Sequence, residues 1–243
     1  MERNNKLKRL EYWIKARIGL IAYIKTQKKI DKEWYGNEYG GFYLNPNLIC
    51  ENSIIYSFGV GEDISFDQSI IKRHQCQVYA FDPTPKSINW ISKQQLPETF
   101  HFFPYGIGNK TELVKFHLPK NKDHVSGSIF KHHLVDIGEY ISVPLKSFAD
   151  IIVETGHQEI DVLKMDIEGS EYVVMEDILK SNIPIKQILL ETHERFFIDG
   201  KTKGRMLFAL MEKYGYKIFA ISDTYQEISF IKTERNTTNK ATS

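Results

Sequence analysis

The feature of this sequence that most limits its fold is a short apolar run that ends in two closely spaced glycines. Residues 54–58 read Ile-Ile-Tyr-Ser-Phe, and Gly59 and Gly61 follow with one residue between them. An apolar run without polar alternation is typical of a buried parallel strand. Glycines directly after it predict a tight strand-to-helix turn, where a ligand can lie against bare backbone. The motif is common in α/β domains and by itself has low specificity.

An acidic residue at the end of the next predicted strand strengthens the case for a nucleotide-like ligand. Residues 77–81 form a second apolar run, and Asp82 follows twenty-one positions after Gly61. Nucleotide-binding α/β folds place an acid about 20 residues on, where it accepts hydrogen bonds from ribose hydroxyls. Thr84 as N-cap and Pro85 as first helical residue predict a helix just beyond it. We therefore expect Asp82 at the carboxyl edge of a parallel sheet.

The alternation of strands and helices continues to a closing hairpin. Further strands are predicted at residues 99–108, 161–166 and 186–191, and helices follow the last two of them. The final pair of strands, 216–221 and 227–231, is joined by a link of hairpin length. This order predicts an α/β fold with a mostly parallel sheet of seven strands and an antiparallel hairpin at its C-terminal end.

Two segments before residue 50 fall outside this pattern. Residues 1–32 contain ten Lys or Arg residues, and Leu10, Trp13, Ile14 and Ile18 recur at helical spacing within an apolar pattern that runs to Ile24. This predicts an amphipathic helix with a basic face, which packs on the domain or on a second subunit, rests on an anionic membrane surface, or helps enclose the substrate. Residues 33–49 mix aromatics with Gly, Asn and Pro, which predicts an irregular loop that covers the cleft or fills a hydrophobic gap.

An insertion and a tail complete the predicted organisation. Within residues 111–147 two strands, 113–118 and 140–145, flank a polar loop, which predicts an inserted β element over the cleft. Residues 232–243 are polar and without periodicity, which predicts a disordered tail. The domains expected are therefore an N-terminal helix and aromatic loop at 1–49, a main domain at 50–231 and the tail at 232–243.

Charge and hydropathy exclude some partners and compartments. The formal net charge is +1, which gives no overall attraction to nucleic acid. The apolar stretch 12–24 is interrupted by Lys15 and Arg17 and is shorter than the roughly 20 residues that a spanning helix needs. No secretory signal and no Cys-x-x-Cys pair is visible, which favours reduced thiols and a cytoplasmic protein, with membrane-peripheral attachment through the N-terminal helix as the alternative.

Four strings resemble one known family. They are Ser-Phe-Gly-Val-Gly at 57–61, Phe-Asp-Pro-Thr at 81–84, Tyr-Gly-Ile-Gly at 105–108 and, most specific, Leu-Lys-Met-Asp-Ile-Glu-Gly-Ser-Glu at 163–171. With the closing hairpin they resemble the FkbM-type S-adenosylmethionine-dependent methyltransferases over roughly residues 50–231. The resemblance implies a Rossmann-like class I methyltransferase sheet and S-adenosylmethionine as cofactor.

The resemblance also implies which residues bind that cofactor: Ser57, Phe58, Gly59, Val60, Gly61, Asp82, Pro83, Thr84, Gly106 and Ile107. The glycine turn would approach the methionine part, Asp82 the ribose, and Gly106 with Ile107 the adenine. One departure stands out, because many members of the wider class carry an acid before the first glycine, where this chain has Ser57 and Phe58. Glu62, Asp63 or backbone carbonyls could replace that acid.

Three residues after the fourth and fifth strands are the candidates for catalysis. A sulfonium methyl is already activated, so the enzyme mainly aligns the acceptor with it. A hydroxyl acceptor also needs a base to accept its proton or a metal to lower its pKa. Asp166 is expected as the catalytic or metal-binding acid and His193 as base or positioner, and Asp166 with Glu191 could hold Mg²⁺. Their structural alternatives are a helix cap for Asp166 and a surface ion pair for Glu191 and His193.

The function implied is oxygen methylation of a sugar or another small-molecule hydroxyl. No basic aromatic stripe indicates a nucleic-acid partner. A non-catalytic module that binds S-adenosylmethionine or a nucleotide is an alternative, because a fold does not fix a function. An NAD-dependent oxidoreductase is less favoured, because Ile64 stands where a dinucleotide fingerprint has its third glycine.

Overall fold

The computed structural model describes residues 2–19, 21–119, 127–130 and 135–233. Within these ranges the helices are α1 (Glu2–Arg17), α2 (Ser65–His74), α3 (Pro85–Ile91), α4 (Phe148–Thr155), α5 (Glu171–Lys180) and α6 (Gly200–Lys213). The strands are β1 (Glu33–Tyr35), β2 (Phe42–Leu44), β3 (Ile54–Phe58), β4 (Gln77–Phe81), β5 (Phe100–Phe103), β6 (Gly106–Gly108), β7 (Glu112–Pro119), β8 (Val135–Ser147), β9 (Ile160–Met165), β10 (Ile185–Glu191), β11 (Tyr216–Ile221) and β12 (Glu227–Lys232).

The main sheet of the described residues has seven strands in the order β11-β12-β10-β9-β3-β4-β5. Neighbouring strands from β10 to β5 run parallel, and β12 is antiparallel to both of its neighbours. The sequence prediction of a mostly parallel seven-stranded sheet with a closing antiparallel hairpin is therefore confirmed.

The central strands are apolar throughout because helices or short strands cover both faces of the sheet. Tyr56 and Phe58 on β3 pack into a cluster that includes side chains of α4, α5 and α6, whereas Ile55 packs into a second cluster with β1, β2 and α2. All six residues of β9 are buried. The alternation between two apolar clusters, rather than between core and solvent, explains why the sequence shows continuous hydrophobic runs.

The strand ends at the carboxyl edge are level with one another. Met165 pairs with Phe58 on one side and with Leu190 on the other. The residues that follow these three, Gly59, Asp166 and Glu191, therefore emerge side by side. The register of the sheet thus brings the predicted catalytic acids next to the glycine turn.

Two predicted segments differ from the structure. Residues 33–49 are not wholly irregular, because β1 and β2 pair as an antiparallel hairpin and a 3₁₀ turn follows at Pro46–Leu48. The burial of Tyr35, Phe42 and Leu44 in the core stabilises these short strands. The single strand expected at 99–108 is two, since β5 belongs to the main sheet and β6 to a three-stranded sheet with β7 and β8. Pro104 lies between them and has no N–H to donate to a ladder.

The N-terminal helix is shorter than its apolar pattern. It ends at Arg17, and the following Gly19 has a φ of +79°. Leu10, Trp13, Ile14 and Ile18 are exposed, whereas Ile24 at the end of the pattern is buried in the main cluster, so only the end of the stripe packs on the domain. A second subunit or a membrane surface as its partner stays a prediction. No helix in the described part of the chain is both long and apolar enough to span a bilayer.

The predicted tail begins too early. Lys232 is the last residue of β12, and the Thr233 amide donates to the Gly215 carbonyl oxygen at 2.9 Å. Residues 234–243 lie outside the described residues. The main domain therefore extends two residues further than the pattern predicts.

An ionisable side chain lies on the buried face of α2. Asp67 is about 1% exposed, and its carboxylate oxygens have no hydrogen-bond partner among the described residues. Burial raises the pKa of Asp67 to about 6, although Lys164 and Ser57 act to lower it. A carboxylate held in this position costs stability whenever it is ionised.

We expect Asp67→Asn to raise the unfolding temperature at pH 8 and to have a smaller effect at pH 5. The native state binds the Asp67 proton more tightly than the unfolded chain, so stability falls as the pH rises from about 4 through 6. Above that range the cost is about 3 kcal/mol, which the uncharged amide avoids in part. Thermal unfolding followed by circular dichroism at both pH values measures the difference. Asp177→Asn, at an exposed site on α5, is the matched control, and an equal shift at both pH values would contradict the prediction.

Candidate active site

A cavity of about 420 Å³ opens at the carboxyl edge of the main sheet. Its volume lies within the range of small-molecule sites. It is lined by Asn37, Tyr39, Gly40, Phe58, Gly59, Val60, Gly61, Glu62, Asp63, Phe81, Asp82, Pro83, Thr84, Ser87, Gly106, Ile107, Phe116, Gly127, Ile129, Leu145, Lys164, Asp166, Ile167, Glu168 and Ser170. Nine of the ten predicted cofactor residues are in this set. The tenth, Ser57, is fully buried beneath the turn.

The glycine turn at the floor of the cavity tolerates no side chain at its first position. Gly59 has a φ of +79°, and a Cβ there would lie 1.7 Å from the carbonyl oxygen of Asp166. The Gly59 carbonyl oxygen accepts a 2.7 Å hydrogen bond from the buried Lys164 Nζ. Gly61 also has a positive φ, but open space lies beyond its Cα. The turn therefore contacts the backbone just after β9 on one side and faces the cavity on the other.

Asp82 holds this turn in place. Its Oδ2 accepts hydrogen bonds from the amides of Val60 (3.0 Å) and Gly61 (2.8 Å). Its Oδ1 accepts from the Thr84 amide (2.9 Å) and hydroxyl (2.6 Å). A carboxylate has about four acceptor positions, so these bonds use its full capacity. The ribose contact implied by the resemblance stays a prediction, and it would require one of these bonds to be exchanged.

Glu62 and Asp63, which the sequence suggests as replacements for the missing acid, have different surroundings. Glu62 lies on the cavity wall, with its carboxylate 3.4 Å from Lys86 Nζ. Asp63 Oδ1 accepts from the Ser65 amide, and its Oδ2 accepts from the Asn37 side-chain amide, both at 2.7 Å. Asp63 therefore anchors the aromatic loop to the start of α2.

Two segments cover the cavity. In the aromatic loop, Asn37 Oδ1 accepts from the amides of Tyr39 and Gly40, which folds the loop back over the glycine turn. On the other side, Phe116 and Leu145 extend from the three-stranded sheet into the cavity lining. The inserted β element contributes to the cavity lining, as the sequence suggests. Both roles predicted for residues 33–49 are present, because Asn37, Tyr39 and Gly40 line the cleft while Tyr35, Phe42 and Leu44 fill the core.

The far wall of the cavity is acidic and surrounds one buried imidazole. His193 is 1% exposed. Its Nε2 lies 3.6 Å from Asp166 Oδ1, 3.3 Å from Glu168 Oε2 and 3.5 Å from Glu191 Oε1. The three catalytic candidates from the sequence therefore meet at one point. Asp166 is not the cap of α5, because Ser170 precedes that helix.

A fourth carboxylate lies behind the imidazole. Glu171 is fully buried, and its Oε1 lies 3.1 Å from His193 Nδ1 in a hydrogen bond. Glu171 Oε1 and Oε2 also accept from the amides of Ile167 and Gly169, both at 2.9 Å. Glu171 therefore fixes the ring so that Nε2 is directed at the other three acids. Glu168 reaches that group from a left-handed backbone conformation with a φ of +54°.

Burial and the close approach of several carboxylates shift the pKa values of Glu191, Asp166 and His193. Burial, and then the neighbouring Asp166, raises the pKa of Glu191 to about 8. Burial raises the pKa of Asp166 to about 6, partly offset by His193 and Lys164. Burial lowers the pKa of His193, but the surrounding carboxylates, Glu171 foremost, raise it well above its ordinary value. Each of these shifts favours the protonated form, so the group takes up protons that isolated side chains of the same types would release.

Sequence reasoning missed several residues of this site. Glu168 and Glu171 belong to the string Asp-Ile-Glu-Gly-Ser-Glu that carried the resemblance, and their spacing from Asp166 was a signal for an acidic cluster. Tyr39 lines the cavity although most of its side chain is exposed, and desolvation at the cavity, followed by Asp166, Glu168 and Glu191, raises its pKa. Its position in a loop of several aromatics left no signal that would single it out.

The sheet order, the glycine turn and the acid after β4 define a Rossmann-like methyltransferase fold. A sequence profile of the methyltransferase FkbM domain matches residues 59–218. The chain therefore belongs to the FkbM methyltransferase family, and the resemblance found in its motifs is confirmed. The family is one of methyltransferase domains, which is the class that the motifs predicted.

Proteins of similar sequence are named as methyltransferases or methyltransferase-like proteins. The chain is 25% identical over 195 residues to a probable methyltransferase-like protein 24 of Homo sapiens, covering 77% of this chain and 47% of the relative. It is 33% identical over 91 residues to the 31-O-demethyl-FK506 methyltransferase FkbM of Streptomyces tacrolimicus, covering 37% of this chain and 33% of the relative. The chain thus spans less than half the length of these curated relatives.

Matches among solved structures include two fibrillarins. The Methanococcus jannaschii fibrillarin pre-rRNA processing protein has a TM-score of 0.43 at 16% identity, with 86% of each chain covered. Aeropyrum pernix fibrillarin in complex with natively bound S-adenosyl-L-methionine has a TM-score of 0.43 at 7% identity, covering 84% of this chain and 83% of that one.

We expect Asp82→Asn to destabilise the protein even without any ligand. The amide nitrogen of asparagine would face N–H donors of the glycine turn or of Thr84, and leaving such groups unpaired costs about 1–3 kcal/mol. Urea unfolding of the ligand-free variant measures the loss. Glu62→Gln changes another carboxylate of the same cavity wall and should leave the unfolding free energy within about 0.5 kcal/mol. A variant of Asp82 with unchanged stability would show that this carboxylate does not organise the turn.

Proposed function

We propose that the protein transfers a methyl group from S-adenosylmethionine to a hydroxyl of a small molecule, of which a sugar is the expected class. The observation that supports this most is the shared cavity: the glycine turn and the acid after β4 form one wall, and Asp166 with Glu168 forms another. A cofactor and an acceptor that occupy the two sides would meet between these walls. The match to the methyltransferase FkbM domain supports the chemistry.

The cofactor side is built mainly from backbone. When bound, S-adenosylmethionine supplies a methyl group on a sulfonium, which needs no further activation. Open space beyond Gly61 allows the methionine part to lie against the chain, and Asp82 holds that turn in shape. Gly106 and Ile107 line the same cavity next to Pro83 and Leu145, and the adenine is assigned to them.

The acceptor side is built from acids and from the covering segments. Asp166, at the end of β9, contacts the glycine turn through its backbone and shares the cavity with it, so its carboxylate can position a hydroxyl or accept its proton. His193 Nε2 lies 3.6 Å from Asp166 Oδ1 and can balance its charge, and Glu191 Oε1 lies 3.5 Å from the same nitrogen. The aromatic loop and the inserted sheet restrict water, which favours methyl transfer over hydrolysis.

Two observations support a small oxygen acceptor. The cavity has the volume of a small-molecule site rather than of an open groove. One relative is named as a methyltransferase that acts at an oxygen of FK506. Mg²⁺ held by Asp166 and Glu191 stays a prediction from the sequence.

We expect Asp166→Asn to leave the dissociation constant for S-adenosylmethionine within a few-fold and to lower turnover by about 100-fold or more. The amide keeps the shape of the wall but cannot accept a proton as a carboxylate does. Calorimetric titration measures the affinity, and release of S-adenosylhomocysteine across a panel of sugars and other hydroxyl compounds measures turnover. Asp177→Asn on the exposed face of α5 is the matched control.

The same measurements separate the competing functions. Binding of S-adenosylmethionine without turnover on any acceptor would favour a non-catalytic module. Binding of NAD with no affinity for S-adenosylmethionine would favour an oxidoreductase. Full turnover by Asp166→Asn would overturn the role of Asp166 and leave the class intact.

A further inference from the structure

Three acids surround the buried Nε2 atom of His193. Asp166 Oδ1, Glu168 Oε2 and Glu191 Oε1 all lie within 3.6 Å of His193 Nε2. The Nε2 atom is buried and forms no hydrogen bond with any residue that the structure describes. A buried polar atom without a partner is unfavourable and calls for an explanation. Here the atom is directed at three carboxylates, which repel its lone pair.

The carboxylates favour a protonated imidazole in the absence of an ion, but a hydrogen bond from it does not account for these separations. Hydrogen bonds between an imidazolium and a carboxylate are about 2.7–2.9 Å long. The three distances here are 3.3 to 3.6 Å, and none has hydrogen-bond geometry. Two ligands that are each about 2.0–2.2 Å from one ion lie about 3.0–3.6 Å apart at the usual coordination angles. The distances from Nε2 to each of the three oxygens therefore fit pairs of ligands on one ion better than partners in a hydrogen bond.

Glu171 holds the imidazole from behind, as a carboxylate usually does for a metal-binding histidine. Glu171 accepts from His193 Nδ1, which leaves Nε2 as the free lone pair. In metal-binding histidines the N–H of the other ring nitrogen usually donates to a carboxylate in this way, which fixes the tautomer and the orientation of the ring. Glu171 is itself held by two backbone amides, so the ring has little freedom. Among the described residues, the ligand atoms of Asp166, Glu171 and His193 lie within 4.8 Å of one another. Glu168 and Glu191 are outside that group, so their carboxylates would have to move toward Asp166 to share an ion with it.

We propose that His193 Nε2, with the carboxylates of Asp166, Glu168 and Glu191, binds one divalent first-row transition cation, and that Glu171 orients the imidazole from behind. The imidazole decides the class of ion, because nitrogen ligands suit Zn²⁺, Co²⁺ or Fe²⁺, whereas Mg²⁺ prefers oxygen and water. This differs from the magnesium that the sequence suggests. The use of the ion in methyl transfer rests on the proposed function, but its binding does not.

Titration of the chelator-treated full chain with CoCl₂, MnCl₂ and MgCl₂, without S-adenosylmethionine, tests the proposal. We expect one Co²⁺ per chain, bound at least about tenfold more tightly than Mg²⁺. The visible absorption of the Co²⁺ complex and X-ray absorption at its edge report a nitrogen ligand. Equal affinities for Mg²⁺ and Co²⁺, or an all-oxygen shell, would overturn the assignment of His193 as a ligand.

Variants locate the ion. Glu168→Gln, at a partly exposed position, should weaken Co²⁺ binding about tenfold or more, and His193→Gln should remove most of the preference for Co²⁺ over Mg²⁺. Glu62→Gln, which alters another carboxylate of the same cavity, should leave the Co²⁺ affinity within about twofold. Thermal unfolding in EDTA shows whether His193→Gln is folded, and Glu168→Gln keeps the test valid if it is not.

Two failures can be told apart. No binding of any of the three cations at millimolar concentration, or affinities unchanged by Glu168→Gln, would overturn the cation site even if methyl transfer is observed. Tight Co²⁺ binding that the variants weaken would uphold the site even if no acceptor is methylated. Turnover in EDTA as fast as with Co²⁺ would confine the ion to a structural role.

Discussion

The contact between the glycine turn and the end of β9 is the constraint on which the site depends. Parallel pairing of β3 with β9 brings Phe58 level with Met165, and the Asp166 amide continues the ladder by donating to the Phe58 carbonyl oxygen at 3.0 Å. Any side chain on Gly59 would collide with the backbone of Asp166. One close backbone approach therefore sets the position of the cofactor turn and of the acid that faces it. Because both follow directly from strand register, their relative position is as rigid as the sheet.

The acid after β4 links this contact to the next strand. By accepting from the amides of Val60 and Gly61, Asp82 gives the turn two fixed hydrogen bonds that water would otherwise provide. Thr84 occupies the other oxygen and accepts from the Ser87 amide to cap α3. The strand tip, the turn and the helix start thus form one hydrogen-bonded unit. Asp82, which the sequence assigns to ligand binding, therefore has a structural role in the turn.

The difference between prediction and structure follows from the range of each interaction. The strand bounds, the Thr84 cap and the glycine turn depend on neighbours within a few residues, and local patterns predicted them. The grouping of Glu168, Glu171 and His193 depends on how β9 and β10 lie side by side and on the left-handed backbone at Glu168, which no local pattern reports. The β1–β2 hairpin was missed for a similar reason. Its strands have three residues each and depend on burial against the rest of the chain rather than on their own propensity.

The turn that lacks an acid before its first glycine has a buried lysine beneath it. Lys164 is 4% exposed and donates to the Gly59 carbonyl oxygen, so its charge lies directly under the turn. It lowers the pKa of Asp67 on α2 and that of Asp166 after β9, against the larger effect of burial. One cation therefore acts on a carboxylate that has no hydrogen-bond partner among the described residues and on a carboxylate of the cavity wall. Asp166 stays in place to balance Lys164 when Asp67 is uncharged.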